Sequence, residues 1–206
     1  MDIMKQINQI INIILHPKKS LKELEKEKVN LFDLIIHLAI VGIPILIGLF
    51  IGHVWYWNAS IHGAFLLALI LYAASIIGVI IGGFILNIIA PNFGVKQDQM
   101  QFIKLFSYAA TPFLLTGIAN IYPVLPMIVI TLAGAFYSLY IFYLGIPIFM
   151  NITKEKIMNF FIVSIVIFVI GWAIIWGIWL LLDSLLEGML WGHLYDPYFY
   201  DDMWHR

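Results

Sequence analysis

The feature that most restricts this chain is the length over which it carries no charge. Leu34–Val95 holds no Asp, Glu, Lys or Arg for 62 residues, Leu105–Thr153 does the same for 49, and Ile157–Leu182 for 26. A helix needs about 20 apolar residues to cross about 30 Å of hydrocarbon. The first two runs therefore accommodate two crossings each and the third one. Helices are the expected form, because irregular chain in lipid leaves backbone N–H and C=O groups unpaired. Composition agrees: 63% of the 206 residues are hydrophobic and 11% charged, where soluble domains have about 45–50% and about 25%. This excludes a soluble single domain and a disordered chain. A net charge of −1 excludes the concentrated basic surface of a nucleic-acid binder. With no cysteine there is no disulfide, no thiolate nucleophile and no cysteine metal site.

Local signals divide the runs. The segment from His53 to His62 is rich in aromatic and polar residues, as at a membrane–water boundary. Ala90-Pro91-Asn92-Phe93-Gly94 is a breaker cluster, and Asn120, Pro123 and Pro126 mark another turn. The expected spans are about 34–53, 63–89, 104–120, 125–149 and 157–182. Lysines test the layout. Lys5, Lys18, Lys19, Lys22, Lys26 and Lys28 precede the first span. Lys96 and Lys104 lie between the second and third, and Lys154 and Lys156 between the fourth and fifth. Five crossings put all ten on one side and leave only Arg206 on the other. The positive-inside bias then predicts a multi-pass cell-membrane protein with a cytoplasmic N-terminus and an extracytoplasmic C-terminus. No small-residue cleavage site follows a short apolar segment, so a removable signal peptide is not expected.

The flanks divide the chain further into an arm, 1–30, a membrane domain, 31–182, and an acidic aromatic tail, 183–206. In the arm, Ile3, Ile7, Ile10, Ile11 and Ile14 share a helical face opposite Asn8, Gln9 and Asn12. His16-Pro17 ends that helix, and a Lys/Glu-rich helix follows, with Ser20 and Glu23 at capping-box spacing. The arm reads as an interfacial or partner-docking helix, or more simply as a solvated charged face with a helix tucked under the bundle. In the tail, His193, Asp196, Asp201, Asp202 and His205 have metal-ligating side chains. Their spacing matches no ligand pattern, and interleaved Trp and Tyr favour an aromatic belt.

Inside the membrane, ionisable groups would point to transport or catalysis, and the central stretches of the last four spans have none. His37 lies one turn after Asp33, where an i,i+4 contact accounts for it as well as a proton site does. There is no H-E-x-x-H, G-x-S-x-G or Gly-rich phosphate loop, so no enzyme, catalytic residue, cofactor or metal is expected. Asn87, Ser75, Ser107, Tyr108, Thr111, Asn120, Tyr137, Ser138, Tyr140 and Tyr143 suit interhelical hydrogen bonds. Gly48-x-x-x-Gly52, Ala74-x-x-x-Gly78-x-x-x-Gly82 and Gly134-x-x-x-Ser138 allow close helix approach, either within the bundle or between copies. Pro44, Pro112 and Pro147 each remove a backbone donor and invite a kink.

Ser107-Tyr-Ala-Ala-Thr-Pro112 resembles the Tyr-x-x-x-Pro element of the third span of the Yip1 family. The stretch Ala135–Lys156, with Leu144-Gly-Ile-Pro147 and a short basic loop, is similar to the family's prokaryotic pattern, as is His16-Pro17-Lys18 before a Lys/Glu helix. The resemblance implies a five-span all-α bundle with a cytoplasmic N-terminus. It assigns structural or contact roles to Tyr108, Pro112, Tyr140, Gly145 and Pro147. Eukaryotic members bind small Rab GTPases and one another in vesicle traffic and help shape membranes. They carry an Asp-Leu-Tyr-Gly-Pro element before the first span, which this chain lacks, and that puts GTPase binding in doubt. The expected function is non-enzymatic membrane organisation through contacts with the bilayer, itself or other membrane proteins. The alternative is a small transporter or channel with a path lined by Tyr, Asn and Ser.

Overall fold

The computed structural model describes residues 3–56, 59–150 and 152–185, and in these every regular element is a helix, with no strand. The tail ligands considered above, His193 to His205, lie outside the described residues. Two short helices come first, α1 (Ile3–Leu15) and α2 (Pro17–Lys26). They are followed by α3 (Leu31–Tyr56), α4 (Ile61–Ile89), α5 (Gln99–Ala109), α6 (Thr111–Leu115), α7 (Val124–Phe149) and α8 (Lys154–Leu185). α3, α4, α7 and α8 are each long and apolar enough to cross a membrane. A fifth crossing is made if α5 and the chain from Thr111 to Ile121 count as one span, bent by 42°. The protein is an all-α, multi-pass membrane protein.

The helix ends follow from local chemistry. Asn30 and Asp33 cap α3 reciprocally: the Asp33 amide donates to Asn30 Oδ1 at 2.9 Å, and the Asn30 amide to Asp33 Oδ2 at 3.1 Å. Ser60 and Asp98 accept from the amides of Gly63 and Gln101 at the starts of α4 and α5, each at 3.2 Å. Beyond α4 a 3-10 turn, Ala90–Phe93, stops at Gly94, whose φ of 73° is a left-handed conformation that suits glycine. The expected capping box at Ser20 and Glu23 does not form. Pro17 occupies the first turn and places the N-cap at His16, four residues earlier, which leaves Ser20 inside the helix and buried.

The largest departure from expectation is the third span. It begins at Gln99 rather than near 104 and breaks at Ala110, before continuing as α6 and a 3-10 turn, Thr116–Ile121. α3 and α7 run on through Pro44 and Pro147.

α5 lies at the centre of the molecule: all eight residues from Phe102 to Ala109 are buried. Around it, Leu34, Leu38 and Val41 of α3, Leu86 of α4, Ile141 and Ile146 of α7 and Phe160 of α8 form the main apolar core, which also takes in Ile13, Leu21 and Leu24 of the first two helices. Those helices therefore pack on the bundle. The small-residue motifs serve the same packing. A Cβ on Gly48 or Gly52 would collide with the carbonyl oxygen of Gly117 or Asn120, one on Gly82 with the Phe106 ring, and one on Gly134 with Thr116. Close approach within the chain accounts for these glycines.

Candidate functional site

The break in the third span is also where its polar groups gather. Pro112 has no N–H, and the next free amide, that of Phe113, donates to Ser138 Oγ of α7 at 3.0 Å. On the opposite side, Thr111 turns its hydroxyl toward α3, where His37 Nε2 lies 3.0 Å from Thr111 Oγ1. The other ring nitrogen, Nδ1, lies 3.2 Å from Gln6 Oε1 of α1. A carboxamide oxygen only accepts, so Nδ1 carries the hydrogen. Nε2 then offers a lone pair, which takes the Thr111 hydroxyl hydrogen. The carbonyl of Ser107, 3.4 Å from Thr111 Oγ1, is the weaker competitor for that hydrogen. Tyr108 closes the junction, its ring edge-on to the imidazole with centroids 4.8 Å apart. Gln6, His37, Ser107, Tyr108 and Thr111 are all buried, and Ser107 Oγ has no partner.

This corrects the sequence-based reading of His37. Its ring does not lie along α3 toward Asp33, which is engaged in capping. It points inward and ties α1 to the broken span through α3.

A second tether lies one layer outward. Lys104 is buried although it carries a charge, and its Nζ donates to the carbonyls of Glu25 at 3.0 Å and Glu27 at 2.8 Å. These belong to the C-terminal end of α2, where carbonyls lack helical partners and the helix dipole favours a cation. The ammonium also lies over the Phe149 ring, 5.7 Å from its centroid. Further out, Glu27 pairs with Lys5 and accepts from Gln9 Nε2 at 2.9 Å. The hydrogen bond that Lys5 donates to Glu27, and then the charge of that carboxylate, raise the Lys5 pKa above its usual range. Tyr137 of α7 donates to the Ile14 carbonyl at 2.5 Å.

Of the five family-motif positions, Tyr108 and Pro112 meet at the junction. Gly145 allows α7 to close on Leu105 of α5. Tyr140 is half exposed and stacks on Tyr137, with centroids 5.9 Å apart, and Pro147 sits in the last turn of α7. The remaining polar residues are dispersed. Asn120 donates to Gly117 O within the 3-10 turn that follows α6, and Ser75 to Leu71 O within α4. Asn87 lies at the opposite end of α4, with Oδ1 buried and unpartnered. His53 bonds Leu49 O, 2.8 Å away in its own helix. Among the described residues no group of three His, Asp or Glu is placed to hold a metal. Sequence reasoning missed Gln6 and treated Lys104 only as a marker of sidedness. A lysine opening an otherwise charge-free segment was the available signal for a buried cation.

The architecture of spans and arm corresponds to a known model. The Yip1 domain matches residues 11–177, from within α1 to within α8. The chain belongs to the Yip1 family. Its curated relatives include the inner membrane protein YohC of Escherichia coli K12, 26% identical over 166 residues, which cover 75% of this chain and 85% of YohC. The same protein from Escherichia coli O6:H1 strain CFT073 aligns with the same identity and coverage. No solved structure matches this Yip1 chain.

Proposed function

We propose that this Yip1 protein is a non-enzymatic organiser of the cell membrane, acting through contacts with lipid and with other membrane proteins. In this reading residues 1–30 form a cytoplasmic arm, 31–182 the membrane domain and 183–206 an extracytoplasmic tail. Tyr108 and Pro112 shape the junction that receives the arm, Gly145 and Pro147 set the approach of α7, and Tyr140 is offered outward for contact.

The observation that carries the proposal is how the polar side chains are used. Gln6, His37, Thr111, Ser138, Lys104 and Tyr137 are engaged in holding helices together. Of the residues a transport path would need, Asn87 lies near the end of α4, Asn120 donates within the 3-10 turn after α6, Tyr108 packs on His37 and Tyr137 is bonded to the Ile14 carbonyl. The crevice beside the break, between Phe106, Ala110, Ser138, Phe142, Ser164 and Phe168, measures about 20 Å³, room for about one water.

The test is purification from native membrane in mild detergent, with identification of co-purifying lipids and proteins. An enriched lipid class or partner is the expected result. A protein that recovers only itself, with no lipid enrichment, would count against the proposal. So would solute flux into reconstituted vesicles that is lost in Tyr108→Phe or Asn87→Leu. Sidedness is tested with single cysteines near each end, which should label from opposite faces.

A further inference from the structure

We propose that α1 lies in the plane of the leaflet on the arm side, with Ile7, Ile11 and Leu15 turned into its acyl chains. These three residues are 41%, 46% and 64% exposed and follow one another at four-residue steps, so they form one stripe along the helix. A second stripe, Gln6 and Ile13, is buried against the bundle. The third, Lys5, Asn8, Gln9 and Asn12, lines a polar groove of about 530 Å³ shared with Glu23 and Glu27 of α2. α1 thus has a face for protein, a face for water or headgroups, and an apolar face that nothing among the described residues covers.

Depth identifies what covers the apolar face. α3 and α7 are each 26 residues long, about 39 Å at the helical rise. They exceed about 30 Å of hydrocarbon, so each end extends roughly 5 Å beyond it. His37, which holds Gln6, lies six residues into α3, about 9 Å along the axis and so just inside the hydrocarbon. Tyr137, which holds Ile14 O, lies twelve residues from the end of α7, about 18 Å along the axis, with its ring long enough to reach back. The two anchors straddle the 5–10 Å band that in-plane amphipathic helices occupy. At that level the outer faces of the spans also meet lipid: Phe136 beside Tyr137 is 68% exposed and Ile35 beside His37 is 38% exposed. The α1 stripe continues that surface. The Yip1 match begins at Ile11, so the first two turns of this helix lie outside it. The proposal deepens the lipid-contact role above and rests on it for biological meaning, though not for its geometry.

The chain has no cysteine, so one introduced thiol reports one position. Ile11→Cys and Asn8→Cys would each carry a nitrobenzoxadiazole label in nanodiscs of phosphatidylethanolamine and phosphatidylglycerol. The expected result is that lipid with a 5-doxyl acyl chain lowers emission at position 11 to about half, while dithionite bleaches position 8 and spares position 11. Equally fast bleaching at both positions would overturn the proposal and place the arm in water. Protection of position 11 from both quenchers would also overturn it, in favour of a second copy or another protein on that face. Either failure leaves the organiser role to be judged by co-purification alone.

Discussion

α3 and α8 enter the membrane with almost the same mean hydropathy, 2.8 and 2.7, yet 39% of one window is buried and only 6% of the other. The difference lies in what their side chains meet. α3 brings Gly48 and Gly52 against the carbonyls of Gly117 and Asn120, and sends His37 into the polar junction. α8 packs most closely in its first half, where Phe160 meets Phe93 and Phe102, and Phe168 meets Phe106 and Phe113. Beyond that, Trp179 and Leu182 rest on Leu67 and Leu71 of α4, but Gly171 and Gly177 face open space and Trp172 and Trp176 stack on each other along the outer surface. Lipid and protein interiors are similarly apolar, so hydropathy reports the crossing and not the neighbour.

Substitutions at matched positions test this contrast, and the largest effect is expected at the glycines. Gly48→Leu drives a side chain into a backbone carbonyl that cannot yield, and overpacking of this kind costs about 3 kcal/mol or more. It should abolish the monodisperse peak in detergent chromatography, whereas Gly171→Leu should elute and melt like the parent. Equal damage from the two would break the comparison.

Next is Lys104→Met, which removes two charge-assisted hydrogen bonds and strands the α2 carbonyls, a loss of about 3 kcal/mol in arm docking. Trypsin should then cut at Lys18 and Lys19 several-fold faster while the spans stay intact. A smaller loss, about 2 kcal/mol, is expected from Thr111→Val, which keeps the volume but leaves His37 Nε2 without its donor. A lower thermal midpoint for Thr111→Val, with no further loss when Gln6→Ala is added, would sharpen the picture of a single coupled junction. At the bottom of the scale, Trp176→Leu on the outer face of α8 should shift stability by under about 0.5 kcal/mol.

Much of the fold is visible in the pattern of charges. The ends of α3, α4, α7 and α8 all fall within three residues of the expected spans. The break in the third span was half legible: Pro112 marked it, but Pro44 and Pro147 carry the same mark and leave their helices continuous. What distinguishes Pro112 is the company it keeps. Ser138 takes the Phe113 amide and His37 takes the Thr111 hydroxyl, so bending costs little. In the arm, helical spacing identified α1, but the buried stripe runs through Gln6 and Ile13 rather than through Ile7 and Ile11. Amphipathicity alone cannot tell a face that meets lipid from one that meets protein.

The sequence by itself determined that this chain lives in a bilayer, where its turns fall and that its lysines cluster by segment, because the cost of charge in hydrocarbon is local and additive. Tertiary structure alone decided that α5 is the hub, that Lys104 and His37 are tethers, and that one glycine motif is a contact while another glycine faces nothing. Those outcomes depend on which surfaces meet across about seventy residues of chain, and no local pattern encodes the partner of a side chain that far away.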